Sequence, residues 1–194
     1  LHYGSHAPPA RLTIDFVVQA EPLGTADAVL AVEPWADDEP FLTMNADNLY
    51  PSAALRDLAM LDEPGLLAFE RGELARSGNI PDARVQSFAL LEVNDHGYLE
   101  RIVEKPSQEV FARAGERSLV SMNCWRFDHR IFDACRDVPR SPRGELELPI
   151  AVGLAVDRGT PFRVVPARGA VLDVSTRADA AEVTRRLEAV TPLP

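Results

Sequence analysis

Leu119-Val120-Ser121-Met122-Asn123-Cys124-Trp125-Arg126-Phe127 has the composition of a strand, and a helical stretch follows it from about Asp128 to Cys135. Trp125 and Phe127 alternate along it, as core or sheet-face residues do. The same strand-then-helix rhythm continues in both directions. Upstream, Val85–Val93 and Tyr98–Val103 flank Asn94-Asp95-His96-Gly97, the composition of a hairpin turn. Before them lie a short strand at Leu66–Phe69, an amphipathic helix at Ser52–Leu61, a buried strand at Phe41–Asn45 and a helix at Thr25–Val32. A β-branched run, Ile14–Val18, reads as one more buried strand. Downstream, Glu147–Asp157 is helical, and Phe162–Val165 and Val171–Val174 are strands. A last helix opens at Thr176, where Thr176 and Asp179 form a capping-box pair ahead of an Ala180-Val183-Leu187-Val190 stripe. The alternation predicts an α/β fold, a mainly parallel sheet flanked by helices with the hairpin as an antiparallel piece, in one domain over residues 1–194.

Composition narrows the function. The chain has 194 residues, 46% hydrophobic and 26% charged, enough apolar side chain to build a core. A formal net charge of −10 argues against non-specific nucleic-acid binding, which needs a basic surface. No window approaches 18 uninterrupted apolar residues, so no membrane partner is expected. Two cysteines without a CxxC, Cys124 and Cys135, suit core thiols and a cytoplasmic location. His2, His6, His96 and His129 lack metal-ligand spacing with them, and Asp37-Asp38-Glu39 reads as a solvated charge run. Of the 20 basic residues 19 are arginine and one is lysine, Lys105. A compact ammonium kept in an arginine-rich chain suggests a place that arginine's planar fork does not fill; chance survival is the bland alternative.

Ligands of open α/β sheets bind at the carboxyl ends of strands. There this sequence has Gln19, Asp47, Glu104, Lys105 and Asp173. Singly, Asp47 reads equally as a turn residue, Asp173 as a helix cap, Lys105 as a solvated strand end and Gln19 as a surface amide. Together they offer two carboxylates able to hold one Mg²⁺ and an ammonium for a second anionic group.

Five segments then resemble, in order, those of the sugar-1-phosphate nucleotidyltransferases. Gln19-Ala20-Glu21-Pro22-Leu23-Gly24-Thr25 is similar to the family's base-recognition segment. Phe41-Leu42-Thr43-Met44-Asn45-Ala46-Asp47 resembles its metal-binding strand end, and Arg101-Ile102-Val103-Glu104-Lys105-Pro106 its V-E-K-P segment. Arg143-Gly144-Glu145-Leu146-Glu147-Leu148 resembles R-G-E-x-E-L, and Gly169-Ala170-Val171-Leu172-Asp173-Val174-Ser175-Thr176 resembles G-x-W-L-D-V-G-T. The order holds from about residue 15 onward. The resemblance implies a Rossmann-like mixed sheet and transfer of a nucleotidyl group from a nucleoside triphosphate to a sugar 1-phosphate. By it, Gln19 and Gly24 read the base, and Asp47 and Asp173 hold Mg²⁺. Lys105 grips the sugar phosphate, with Glu104 and Glu147 on sugar hydroxyls and Ala89 at a sugar-contacting glycine position.

Departures qualify the likeness: Ala46, Val171 and Ser175 replace the family's usual Gly, Trp and Gly. Its opening G-x-G-T/S-R phosphate loop has no counterpart, so the sequence is expected to be an N-terminally truncated piece, about two thirds of a catalytic domain, that does not turn over by itself. A non-catalytic regulatory subunit sensing a nucleotide sugar is the alternative. A glycosyltransferase is disfavoured by the V-E-K-P segment, and homo-oligomerisation stays open.

Overall fold

The computed structural model describes residues 12–188. Its elements are α1 (Thr25–Leu30), α2 (Glu33–Ala36), β1 (Phe41–Thr43), β2 (Asn48–Leu49), α3 (Ser52–Ala59), β3 (Gly65–Glu70), α4 (Arg71–Ser77), α5 (Asp82–Val85), β4 (Leu90–Val93) and β5 (Leu99–Val103). They continue with α6 (Gln108–Ala114), β6 (Leu119–Phe127), α7 (Arg130–Asp137), α8 (Leu148–Asp157), β7 (Arg163–Ala167), β8 (Leu172–Asp173) and α9 (Arg177–Leu187).

The long strand β6 organises the sheet. Strands run in the order β5-β4-β6-β3-β7, with β1 also paired to β6, and β2–β8 form a separate ribbon. Along one edge β6 meets β3; along the other it meets β4 with its first residues and β1 with its last. Between these halves the register against β3 slips, and Asn123 takes a left-handed φ of +54°. Asparagine adopts that conformation more readily than most residues, so it suits a bulge that passes one strand between two partners.

Helices cover both faces because β3 is apolar and buried from Gly65 to Phe69. Leu66 and Ala68 enter a core with α1, α7 and α8; Leu67 and Phe69 enter a second core with α3 and α4. A strand buried on both sides reads as a continuous apolar run rather than an alternating one. Truncating Leu66 or Leu67 to alanine should each cost about 2–5 kcal/mol.

Two expectations change, and the sheet is mixed, as the resemblance implies, with fewer parallel pairs than the alternation alone predicts: among the described residues β3–β7 is parallel, while β1, β3 and β4 run antiparallel to β6 and β4 to β5. Alternation fixes that helices cover a sheet, not the direction in which each strand re-enters it. Ile14–Val18 is no strand and is not buried; it joins no ladder, and Phe16 and Val18 are largely exposed. β-branched composition cannot supply a neighbouring edge. Val85 belongs to α5, so the strand expected from Val85 begins at Leu90. His2, His6 and Val190 lie outside the described residues. No helix among those described is long and apolar enough to cross a membrane.

Candidate active site

The segment Gln19–Thr25 is fastened to the start of α8. Leu146 N–H donates to the Leu23 carbonyl (2.8 Å), and Ala26 N–H donates to the Leu146 carbonyl (2.9 Å). Between them Gly24 adopts φ +132°, where a Cβ would stand 2.4 Å from the Leu146 oxygen. Only glycine fits such an approach. The Gln19 amide folds back, its Nε2 donating to the Gly24 carbonyl (3.1 Å) and to Asp27 Oδ2 (2.6 Å). Thr25 Oγ1 accepts from Leu148 N–H (2.9 Å), so α1's first residue satisfies one of the unpaired donors opening α8.

One residue away is the lysine centre. Glu147, the N-cap of α8, is buried, and its Oε1 accepts from Lys105 Nζ (3.3 Å) and from Arg143 Nη2 (3.0 Å). Lys105 also lies 3.8 Å from Glu104 Oε1 and keeps 40% of its side chain exposed. Its backbone has φ +46° immediately before Pro106, a conformation costly for a residue with a Cβ and disfavoured before proline. Burial pushes the Glu104 carboxyl up to about 7, helped by the Glu147 charge and opposed by Lys105. Burial would also raise Glu147, but hydrogen bonds from Arg143, Ser141 and Lys105 outweigh it and hold that carboxyl below the usual range. Glu147 thus faces Lys105 and Arg143.

The two aspartates come together on the β2–β8 ribbon. Asn48 pairs with Asp173, and Val174 N–H donates to the Asp47 carbonyl (2.9 Å). Tyr50, at the end of this segment, donates through its hydroxyl to the Met122 carbonyl (2.6 Å), tying the ribbon to the β6 bulge. The two carboxylates differ sharply. Asp47 is exposed, whereas Asp173 is buried among donors. Its Oδ1 accepts from Arg84 Nη1 (2.5 Å), Ser175 Oγ (2.7 Å) and Ser175 N–H (3.1 Å); its Oδ2 accepts from Asn48 Nδ2 (3.0 Å). Asn79 clamps its backbone from both sides, at 2.7 and 2.8 Å.

A carboxylate has about four lone-pair directions; three of the four donors crowd Oδ1 and one reaches Oδ2, which leaves one direction on Oδ2 open. A Mg²⁺ shared with Asp47, which needs an oxygen at about 2.1 Å, would have to use that direction beside the Arg84 guanidinium. Among the described residues no group of three or more His, Cys, Asp or Glu side chains is arranged to hold a metal ion. Arg84, Asn79 and Arg143 were not singled out from sequence; nothing local marks Arg84 as the partner of a residue 89 positions away.

An open, mostly apolar cleft of about 440 Å³ lies beside these parts, with none of Gln19, Asp47, Lys105, Glu147 or Asp173 in its lining. Thr25, Val29 and Leu148 line one side, and Thr43, Met44, Asn45 and Asn123 line another. It therefore touches the Gln19–Thr25 segment, the residue after Glu147 and the strand end leading to Asp47. Ala89 is placed elsewhere among the contacts, buried at the entrance to β4 with its carbonyl accepting from Ser121 N–H (2.9 Å).

Comparison with known proteins gives the family and the fold. The UTP–glucose-1-phosphate uridylyltransferase AglF of Haloferax volcanii is 28% identical over 176 residues, which are 90% of this chain and 67% of the relative. A glucose-1-phosphate thymidylyltransferase of Streptomyces antibioticus is 28% identical over 182 residues, 90% of this chain and 46% of that protein. A crystal structure of UDP-glucose pyrophosphorylase complexed with UDP-glucose has the same fold, with a TM-score of 0.70 and 17% identity over 90% of this chain and 65% of the other. The chain thus spans between about half and two thirds of the length of these relatives. The family model described as nucleotidyl transferase matches residues 2–189, nearly the whole sequence, and the chain belongs to that family.

Proposed function

We propose that this chain carries the base-reading and sugar-phosphate-holding parts of an enzyme that transfers a nucleotidyl group from a nucleoside triphosphate to a sugar 1-phosphate. One observation carries the reading. The Leu146–Leu148 segment fastens the Gln19–Thr25 stretch through Leu146 and Leu148, and it holds the lone lysine through Glu147. A single stiff turn therefore spaces a nucleobase from a phosphate-binding ammonium. The similarity to proteins named glucose-1-phosphate uridylyl- and thymidylyltransferases supports the same substrates.

In the proposed reaction a phosphate oxygen of the sugar 1-phosphate attacks the α-phosphorus in line. The new O–P bond forms as the bond to pyrophosphate breaks, and positioning and charge neutralisation do most of the work. Lys105 binds the attacking phosphate, Glu147 aims Lys105, and Glu104 faces the sugar hydroxyls. Gln19 and Gly24 border the base. Asp47 is the accessible carboxylate at the strand end. No joint Mg²⁺ site at Asp47 and Asp173 enters this mechanism. A cytoplasmic location fits the phosphorylated substrates.

A second reading, a subunit that binds a nucleotide sugar without turnover, is favoured by the closed environment of Asp173. One pair of assays on the full-length protein separates the two: pyrophosphate release from UTP or dTTP with glucose 1-phosphate, and calorimetric binding of UDP-glucose and dTDP-glucose. Release that is lost in Lys105→Ala supports the enzyme. Binding without release supports the sensor, and neither binding nor release overturns both.

A further inference from the structure

The ammonium of Lys105 is flanked by two carboxylates. Glu147 Oε1 lies 3.3 Å from Nζ, and Glu104 Oε1 lies 3.8 Å from it. Both acids are largely withdrawn from water, with 7% and 20% of their side chains exposed, and they stand within reach of a shared hydrogen bond. Glu147 also accepts from Arg143, whose Nη2 reaches Glu145 as well (2.8 Å). Glu104 in addition lines a cavity of about 330 Å³ with Ile102, Pro149, Leu154 and Asp157. The charged groups around Glu104 are therefore Lys105, Glu147 and Arg143, with Asp157 on the same cavity. At the lysine centre two cations face three carboxylates before any ligand arrives.

We propose that Lys105 takes the phosphate of its ligand together with one proton, which Glu104 accepts. The inference rests on Lys105 as a phosphate ligand and adds the proton to that role. A phosphate at Nζ must come close to both carboxylates, and like charges repel strongly where burial leaves little water to screen them. One proton removes one of those charges and turns its carboxyl into a hydrogen-bond donor. Glu104 is the acid that takes it. Glu147 is buried too, but hydrogen bonds from Arg143, Ser141 and Lys105 favour its ionised form. Burial and then the Glu147 charge already bring the Glu104 carboxyl up to about 7. The proton comes from solvent and bonds to a Glu104 carboxyl oxygen; no other bond is made or broken. Binding is then linked to pH with a definite sign: it weakens as pH rises above 7, by up to about tenfold per unit.

The test is calorimetric titration of UDP-glucose and dTDP-glucose into the full-length protein, at pH 8 in two buffers of different ionisation enthalpy, which counts the protons exchanged. These ligands serve because their diphosphates have no proton to exchange near neutrality. Wild-type protein should take up more than about half a proton on binding, and its affinity should fall about three- to tenfold from pH 7 to pH 8. Glu104→Gln keeps a hydrogen-bonding head that cannot take a proton, so the uptake and the pH dependence should both vanish. Binding without uptake in the wild type, or an uptake that survives in Glu104→Gln, overturns the proposal and leaves the phosphate role of Lys105 standing. No binding of either nucleotide sugar between pH 6 and pH 8 overturns both. If Glu104→Gln does not fold, the carboxyl carbon resonance of Glu104 in the wild type decides. Its titration should move to higher pH on saturation with UDP-glucose, and a titration that the ligand leaves in place would contradict the coupling.

Discussion

At Asp173 the cation is an arginine that shares a buried carboxylate with three other donors, and the whole set is held by Asn79 and the β2–β8 ribbon. At Glu147 the cation is a lysine with a long reach, two nearby carboxylates and 40% of its side chain in solvent. The first cluster satisfies itself and stiffens the fold. The second leaves an ammonium with hydrogen-bonding capacity to spare, aimed by a buried anion. Opposite charges brought together thus serve structure in one place and, in the proposed function, ligand capture in the other. Both carboxylates have several donors; what separates the clusters is the cation, a guanidinium held between Asp173 and Asp179 against a more exposed ammonium.

The largest effect should fall on stability at the closed cluster. Asp173→Ala removes an acceptor from Arg84, Ser175 and Asn48 together, and urea denaturation should show a loss of about 3 kcal/mol. That lies at the low end for a broken buried pair because Arg84 is partly solvated. A loss below 1 kcal/mol would erase the contrast. Next, Gly24→Ala drives a Cβ into the Leu146 carbonyl at a positive φ and should cost about 2–3 kcal/mol, read by the same melt. Lys105→Ala sharpens the comparison from the other side. Stability should change by less than about 1 kcal/mol, as for an exposed ion pair, while kcat/KM of the full-length enzyme falls roughly tenfold to 100-fold.

The smallest effect is in pH dependence. Glu104, pushed up to about 7, binds its proton more tightly in the folded than in the unfolded chain. Stability should therefore decline as pH rises from the ordinary carboxylate range to about 7 and level off above it. Glu147, held low, acts in the opposite sense, with stability lost as pH falls through its own titration. Glu104→Gln should flatten the decline below pH 7 in a series of melts. An unchanged slope would place the titration elsewhere.

Much of the scaffold was legible where local chemistry is decisive. Leu119–Phe127 reads as a strand and is one, residue for residue, and the capping box at Thr176 and Asp179 forms as its spacing requires. Helix α8 needs one boundary change, because Glu147 caps it rather than joining it. Ile14–Val18 fails because strand formation depends on an available edge, which no local pattern encodes. α4 escapes notice because it follows β3 without a break and carries no capping side chain. In the site, the single lysine pointed to Lys105 by composition alone. Its partner Glu147 lies 42 residues on, and Arg84 meets Asp173 across 89; those pairings are products of the fold.

The central claim is that Lys105 is a compact cation held by Glu147 for a phosphate. Lys105→Arg tests it most directly, because the charge is kept while the head becomes planar and larger. In the full-length enzyme, with UTP or dTTP and glucose 1-phosphate, the variant should lose most of the wild-type kcat/KM and keep its melting temperature. Near-wild-type kinetics in Lys105→Arg would contradict the claim, since a solvated strand-end lysine would accept the arginine that this chain uses at every other basic position.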